Sequence, residues 1–358
     1  MSPARHHPWL HRFAVLTAAA AWVVICFGGL VTSHGAGLAV PDWPNTYGYN
    51  LFFFPISKWV GGIFYEHTHR LVASGVGLLT TVLAIWLWRA ESRAWLRWLG
   101  VAAFVGVVLQ GVIGGLRVIL LRDHLGVFHG ALAQLFFVLV CGIALFTSRW
   151  WREQLPQTQK VEDRGGLRRL ALLMTLLVFG QLLLGATMRH RHAGLAIPDF
   201  PAAYGRLWPG IDAASVARYN QQREEPTAVN PITGFDVVLQ MAHRLGACFI
   251  ALGVGLCSRV ARHGLAPGHS LIRASSAWLV LVVLQFSLGA ATVWTGKSAD
   301  LATAHVAVGS LVLALGGLLT VSGFQLLQPP AIARNPTLSC ELTPFRSDSP
   351  PAAASHRA

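Results

Sequence analysis

The chain has 358 residues, of which 54% are hydrophobic and 12% charged, and its formal net charge at pH 7 is +13. An ordinary soluble domain carries about 25% charged residues, so this composition cannot cover a water-exposed surface with polar groups. Together with a mean hydropathy of +0.52, it excludes a soluble enzyme, a disordered scaffold and a secreted disulfide-rich module. It predicts an integral membrane protein whose first partner is the lipid bilayer.

Eight apolar windows, each long enough to cross the hydrocarbon core as a helix, follow one another along the chain. A transmembrane β-barrel would instead show strictly alternating segments of about ten residues, and runs such as LLMTLLVFGQLLLGA do not alternate. The sequence therefore predicts an all-α integral membrane fold with eight transmembrane helices. In chain order the windows are Phe13–Val31, His69–Trp88, Leu99–Leu116, Leu125–Phe146, Leu167–Thr187, Val237–Leu256, Ser270–Thr292 and Thr303–Phe324.

Basic residues are distributed unevenly between the two sides of this predicted topology. With the N-terminus in the cytoplasm, the cytoplasmic segments hold 17 Lys and Arg against 6 Asp and Glu, whereas the outer loops hold 9 of each. This agrees with the positive-inside rule and predicts a multi-pass protein with both termini cytoplasmic. Because the topology accounts for the basic charge, we expect no nucleic-acid partner. The weakly basic N-terminal segment is not typical of a mitochondrial presequence, so we expect a bacterial cell membrane.

An internal repeat organises the chain. Residues 37–48 read GLAVPDWPNTYG and residues 194–205 read GLAIPDFPAAYG, with eight of twelve positions identical. The chain is therefore interpreted as a duplication of a four-helix unit. Because four is even, both units enter the membrane from the same side, which predicts two parallel-repeat four-helix bundles related by an axis along the membrane normal. We interpret the repeated segment, stiffened by two prolines, as a rigid outer cap.

The repeat also sets the expected domain boundaries. They are a cytoplasmic N-terminal tail at 1–12, a first half at 13–147, a cytoplasmic linker at 148–166, a second half at 167–325 and a disordered cytoplasmic tail at 326–358.

Four histidines occupy matched positions in the two halves. His69 and His243 begin the second and sixth spans, each followed by an arginine, and His129 and His305 lie about one turn into the fourth and eighth spans. All four spans run from the outer to the inner side, so each half has two imidazoles near the outer third of the membrane. A buried imidazole is costly there unless it is hydrogen-bonded or ligated, and four at repeated positions favour ligation.

The number of ligands indicates the kind of metal site. Each half offers two histidines and neither a cysteine nor a second carboxylate at matching depth. Zinc and copper sites take three or four such ligands, whereas a haem iron takes two, because the porphyrin supplies the other four. The sequence therefore predicts one haem in each half, with His69 and His129 as axial ligands in the first and His243 and His305 in the second.

The two halves differ at one informative position, where Glu66, three residues before His69, corresponds to Gln240. An electron-carrying haem with both axial positions filled needs no carboxylate, but chemistry on a haem substituent does. We therefore expect a reacting haem in the first half and a permanent haem b in the second. The alternative is that Glu66 caps its helix or pairs with an arginine. Arg70 and Arg244 fit equally well as ligands of haem propionates and as anchors at the membrane interface.

These features together resemble the haem A synthase family of integral membrane enzymes. The resemblance is carried by the ExxHR element (Glu66, His69, Arg70), its QxxHR copy (Gln240, His243, Arg244), the paired His129 and His305, and the outer segment from Gly35 to Pro44. It covers about residues 13–325. The cysteine pair that some members carry in the first outer loop is absent between Leu38 and Gly48, so a thiol-linked activation step is not expected.

The resemblance implies oxidation of the C8 methyl group of haem O to a formyl group by successive hydroxylations, giving haem A for cytochrome oxidase. It implies that His69 and His129 bracket the substrate haem, that Glu66 is a catalytic carboxylate, and that His243 and His305 ligate haem b. The implied partners are a haem O synthase as donor, cytochrome oxidase or its assembly factors as acceptor, and an unidentified electron donor.

A second function fits the same four histidines. A di-haem electron-transfer protein of the cytochrome b type would ligate two haems in this way and modify neither. A transporter is a poorer fit, because its intramembrane charges would surround the midplane, whereas the ionisable residues here lie at the outer ends of the spans.

Overall fold

Eight long helices account for most of the chain in the computed structural model, which describes residues 7–223 and 231–329. Within those residues, all eight are long and apolar enough to cross a membrane, which confirms the predicted multi-pass all-α fold. The spanning helices are α1 (Pro8–Ser33), α2 (Gly61–Ala90), α3 (Ala94–Leu120), α4 (Asp123–Thr147), α5 (Leu167–His190), α7 (Gly234–Gly264), α8 (Ser270–Trp294) and α9 (Ala299–Leu326); a short α6 (Ala213–Gln221) lies between α5 and α7.

Most helices extend beyond their predicted apolar windows. The N-terminal tail was expected to reach residue 12, but α1 begins at Pro8, since proline is well tolerated in the first turn of a helix. At the other end, the C-terminal tail was expected to begin at residue 326, but regular secondary structure continues beyond that residue. Leu326 still belongs to α9, and Leu327–Gln328 (β2) pairs in parallel with Val161–Glu162 (β1) of the linker. Residues 330–358 of that predicted tail lie outside the described residues.

The contacts between helices repeat along the chain. In the first half α1 packs on α2, α2 on α3, α3 on α4 and α4 back on α1; in the second half α5, α7, α8 and α9 make the same closed circuit. Contacts of α1 with α9, α4 with α5 and α4 with α9 join the halves. The sequence duplication thus coincides with a duplicated pattern of packing, while its relation to an axis along the membrane normal stays a prediction.

Apolar side chains continue across the junction of the two halves. Ala314 of α9 belongs to the apolar cluster of the first half, and Val138 of α4 packs against the clusters of both. Of the apolar window of α9, 56% is buried, against 17% for α3 and α8. The fourth helix of the second half therefore lies centrally, and the third helix of each half presents most of its surface outward.

The loop before α7 is longer than its counterpart in the first half and builds a small cover of its own. Asp212 caps α6 by accepting a hydrogen bond from the amide of Ser215 at 2.9 Å. Tyr219 of α6 stacks on Tyr204, with ring centroids 3.5 Å apart. This loop therefore packs over the second copy of the repeated segment.

Candidate functional site

The repeated segments, residues 37–48 and 194–205, fold in the same way and are called here the first and second cap loops. In the first, the Asp42 carboxylate accepts hydrogen bonds from the amides of Tyr47 at 2.7 Å and Gly48 at 2.8 Å. Burial acts to raise the pKa of Asp42, but these two amides hold it below its ordinary value. Asp199 accepts the same pair of bonds, at 2.7 and 2.8 Å, from Tyr204 and Gly205.

Arg70 fastens the first cap loop to α2. It donates to the carbonyls of Asp42 at 2.7 Å, Asn45 at 3.0 Å and Val40 at 2.9 Å. These bonds leave few guanidinium N–H groups for another ligand. In the second half Arg244 donates to the three equivalent carbonyls, those of Asp199, Ala202 and Ile197, at 2.7, 2.8 and 3.2 Å.

The predicted binding of haem propionates therefore stays a prediction, open only to the N–H groups that the cap loops do not use. One such group is Nε of Arg244, which is buried without a hydrogen-bond partner.

Glu66 lies beneath the first cap loop with 4% of its surface exposed. Its Oε2 accepts from the amide of Val40 at 2.9 Å, and its Oε1 accepts from Nη2 of Arg70 at 2.7 Å. Gln240 holds the same place in the second half, where its Oε1 accepts from the amide of Ile197 at 2.6 Å. The two side chains therefore have the same anchoring bond to the cap loop, and they differ in charge.

The four predicted histidines form two pairs of closely similar geometry. The ring centroids of His69 and His129 are 6.5 Å apart with an interplanar angle of 76°. Those of His243 and His305 are 6.4 Å apart at 68°. An iron bound by two imidazole nitrogens at about 2 Å each, with each ring centre about 1 Å behind its nitrogen, needs ring centres roughly 6 Å apart. Both pairs therefore have the separation that a bis-histidine haem requires.

Each imidazole lies against a glycine of a neighbouring helix. A Cβ added to Gly28 of α1 would lie 3.3 Å from Cε1 of His69, a separation that few real contacts show. The absence of a side chain at these positions lets the ring stand between the helices. The other three pairs are Gly114 with His129, Gly185 with His243 and Gly289 with His305, at 3.1, 3.2 and 3.0 Å.

The hydrogen bonds of His305 identify the nitrogen that would bind a metal. Its Nδ1 lies 3.1 Å from the carbonyl oxygen of Gln285, and a carbonyl can only accept. Nδ1 therefore carries the proton, and the lone pair that would bind a metal is that of Nε2, which in this structure accepts from Nε2 of Gln285 at 3.3 Å. In the other three histidines Nδ1 is buried without a hydrogen-bond partner.

The donor set fits a porphyrin. Among the residues that the structure describes, no three or more His, Cys, Asp or Glu side chains gather where they could hold a bare metal ion. Each pair thus brings two imidazoles, and a porphyrin would bring the remaining four nitrogens.

His67, two residues before His69 on α2, is fully buried. Its Nδ1 lies 3.0 Å from Oγ1 of Thr46 in the first cap loop. Its ring meets the ring of Trp59 edge-on with centroids 4.8 Å apart. The first cap loop and the chain that follows it therefore cover this face of α2.

The sequence did not reveal that each of the four histidines lies against one of these glycines. Arg189 was also missed. It is an arginine near the end of α5 that donates to the carbonyl of Gly29 and to Oγ of Ser33 on α1, both at 2.6 Å. A charge at the edge of an apolar window was the signal that could have identified it.

Comparison with known proteins gives a consistent result. A family model described as cytochrome oxidase assembly protein matches residues 54–316. The chain is 27% identical to a haem A synthase of Geobacillus kaustophilus over 313 residues, which cover 83% of this chain and 86% of that protein. It is 26% identical to the haem A synthase of Rhizorhabdus wittichii over 85% of this chain and 91% of that protein. It is 30% identical to that of Mesorhizobium japonicum over 70% and 66%.

Proposed function

Since the chain belongs to the cytochrome oxidase assembly protein family, we propose that it is a haem A synthase, a membrane oxidoreductase that converts haem O to haem A. The relatives that share most of its length are haem A synthases. The observation that carries the residue assignment is the asymmetry of two otherwise matched sites: both have a histidine pair, and only the first has a carboxylate, Glu66, at the place of Gln240.

The first half is proposed to hold the substrate haem and the second half a haem b. His69 and His129 would hold the substrate from its two faces, and Gly28 and Gly114 leave room for both rings. The bound iron supplies the redox chemistry by which the C8 methyl group becomes a formyl group. The protein excludes water from the outer face of the site with the first cap loop.

Glu66 is proposed to exchange protons at the reacting substituent through its carboxylate. Its bond to Arg70 and its bond to the amide of Val40 fix both oxygens in position, as a catalytic acid or base requires. His243 and His305 would hold haem b, which would supply electron-transfer chemistry in the second half.

The location and the partners proposed for the protein follow from its predicted topology and from the proposed reaction. We place the protein in a bacterial cell membrane with both termini in the cytoplasm, as the distribution of basic residues favours. The two histidine pairs then lie towards the outer side. A haem O synthase would deliver the substrate, cytochrome oxidase or its assembly factors would receive the product, and an electron donor is required.

Co-expression with a source of haem O tests this function. Haems extracted from the purified wild-type protein are expected to include haem A. Glu66→Gln is the informative variant, because Gln240 shows that glutamine makes the same bond to the cap loop. We expect this variant to retain haem and fold while conversion falls by about 100-fold or more, the usual contribution of a general acid or base.

The result also separates the two candidate functions. If haem O leaves the folded, reducible wild-type protein unchanged, the protein is a di-haem electron carrier and the proposed activity is wrong. If Glu66→Gln converts haem O at the wild-type rate, the enzyme assignment stands and the catalytic role of Glu66 is wrong.

A further inference from the structure

A pocket lies between the two halves, at the end of the bundle that the distribution of basic residues predicts to be cytoplasmic. Its walls come from the first turn of α3, the chain that follows α4 and the last turn of α9. Its volume is about 410 Å³, within the range of about 300–1,000 Å³ that is usual for small-molecule sites. His129 lies near the other end of α4, so this pocket is separate from the histidine pairs.

A short parallel ladder fixes part of the rim of this pocket. Lys160 lines the pocket directly before β1, and Gln325 lines it two residues before β2. The two strands pair with Val161 opposite Leu327. The ladder therefore holds the backbone of Lys160, from the chain between the halves, close to that of Gln325 in the second half.

The remaining walls are mostly aromatic and apolar. They are formed by Trp95, Trp151, Leu155 and Pro156. The ring of Phe146 lies between the two indoles in contact with both, its centroid 5.0 Å from that of Trp95 and 4.8 Å from that of Trp151. Tryptophan is enriched where membrane and water meet, because its ring is apolar and its N–H is polar. Such walls suit the glycerol and the first methylene groups of a lipid.

The polar side chains that line the pocket favour an anion. Lys160 brings an ammonium group, Thr158 a hydroxyl group and Gln325 an amide, and no acidic side chain lines the pocket. Among the residues that the structure describes, no carboxylate forms an ion pair with Lys160. Its charge is therefore available to an anionic ligand.

Two arginines next to the pocket share a single carboxylate. The guanidinium of Arg93 lies over the ring of Trp95 at 5.4 Å. Glu91 pairs with Arg93 at 3.0 Å and with Arg152 at 3.5 Å. The Arg152 side chain is only 5% exposed, and its Nη1 has no hydrogen-bond partner. Burial holds the pKa of Arg152 below its ordinary value although Glu91 acts to raise it. The surroundings of the pocket thus carry more positive than negative charge.

From this combination we propose that the pocket binds one acidic phospholipid of the inner leaflet, with its phosphate paired to Lys160 and its glycerol packed on Trp95 and Trp151. Basic pockets between transmembrane helices on the cytoplasmic side are known sites for acidic lipid headgroups. A lipid in this place contacts α3 of the first half and α9 of the second, so it joins the halves. The inference does not depend on the proposed function.

Binding of lipid to the delipidated full chain tests the proposal. The purified protein in a neutral detergent is titrated with phosphatidylglycerol or with phosphatidylcholine, and the lipids bound per polypeptide are counted by native mass spectrometry. We expect one phosphatidylglycerol to bind roughly tenfold more tightly than phosphatidylcholine, which carries no net charge.

Two variants distinguish the pocket from a general attraction of the basic surface. Lys160→Gln removes the cation and is expected to weaken binding of phosphatidylglycerol about five- to tenfold. Gln325→Trp keeps every cation and fills the pocket, and a loss of about tenfold is expected. Both side chains are exposed, so both variants are expected to fold. Arg259→Gln is the matched control, because it removes an exposed cation from the same end of α7 and leaves the lining intact.

Three results would overturn the proposal. They are equal affinity for the two lipids, equal loss of binding in Lys160→Gln and Arg259→Gln, and wild-type binding in Gln325→Trp. Inorganic phosphate distinguishes a lipid headgroup from a free anion. Phosphate at millimolar concentration is expected to leave the bound lipid in place, and if it displaces the lipid, the pocket is a site for free phosphate and the lipid assignment is wrong.

Discussion

At the scale of single residues, the site depends on four imidazole and glycine pairs across neighbouring helices. The histidine is the proposed haem ligand, and the glycine leaves the space that the ring occupies between two helices. A glycine in a helix interior costs about 1 kcal/mol relative to alanine. The presence of a glycine opposite each of the four histidines therefore indicates that placing the imidazole ring between the helices is more important here than local helix stability.

Substituting one of these glycines should remove haem from one half only. In Gly185→Val the new side chain meets the His243 ring, which already lies 3.2 Å from where Cβ would be. We expect haem affinity of the second half to fall about 10- to 100-fold, as when other supports of a metal ligand are lost. The loss of haem from the second half is measured as haem content per polypeptide and in the reduced-minus-oxidised difference spectrum.

Gly180→Val provides the comparison on the same helix. A Cβ at Gly180 meets nothing within 4 Å, so the propensity cost is the same and the ring is not touched. Equal haem loss in Gly180→Val and Gly185→Val would show that the glycine acts through helix stability and not through the imidazole.

The sequence indicated the histidines, but not which glycine lies against each ring, for a physical reason. An imidazole in an apolar helix is conspicuous because burying it has a cost, and repetition in both halves strengthened the inference. A glycine in a membrane helix is common, and its role depends on which helix faces it. That pairing, α1 with α2 and α3 with α4, depends on the tertiary fold and cannot be read from spacing along the chain.

At the scale of elements, the two cap loops are rigid because side chains replace the regular hydrogen bonds that loops lack. In the second loop, Asp199 binds two amides and Arg244 binds three carbonyls. The two prolines predicted such a rigid segment. The role of the arginine in holding it was not evident, because arginine beside a histidine at the membrane interface suits propionates and lipid headgroups equally well.

Arg244→Lys should loosen the second cap loop. Three carbonyl bonds need the planar fork of a guanidinium, and an ammonium group on a flexible stem cannot make the same set. We expect a loss of about 1–3 kcal/mol of local stability, seen as faster amide hydrogen exchange at Tyr204 and Gly205. Arg206→Lys, in the residue that directly follows this loop and is exposed, should exchange like the wild type. Equal protection in both variants would contradict this role of Arg244.

The ends of the helices were the features predicted least accurately from the sequence. Apolar windows locate the part of a helix inside hydrocarbon, but α7 extends from Gly234 to Gly264, well beyond its window. Its start is set by Thr233, whose side chain forms a capping box with Asp236. Polar caps of this kind lie outside the apolar pattern, so a hydropathy argument does not see them.

At the scale of the whole molecule, the two halves are joined by polar contacts as well as by apolar packing. Arg189 of α5 reaches α1, where it binds the carbonyl of Gly29 and Oγ of Ser33. Ser33 in turn lies 3.0 Å from Oγ1 of Thr303 on α9, two residues before His305. Gly29 follows the glycine that supports His69. This chain of contacts therefore connects the surroundings of one histidine pair with those of the other.

Removing this arginine should weaken the junction between the halves. In Arg189→Ala the carbonyl of Gly29 and the hydroxyl of Ser33 lose a charged donor, and a hydrogen bond to a charged group contributes about 1.5–3 kcal/mol. We expect a lower free energy of unfolding by that amount and a coupling energy with Ser33→Ala in a double-mutant cycle. Arg169→Ala removes an exposed arginine from the other end of α5 and should change stability by less than about 0.5 kcal/mol. If Arg189→Ala is as stable as Arg169→Ala, this arginine does not contribute to holding the two halves together.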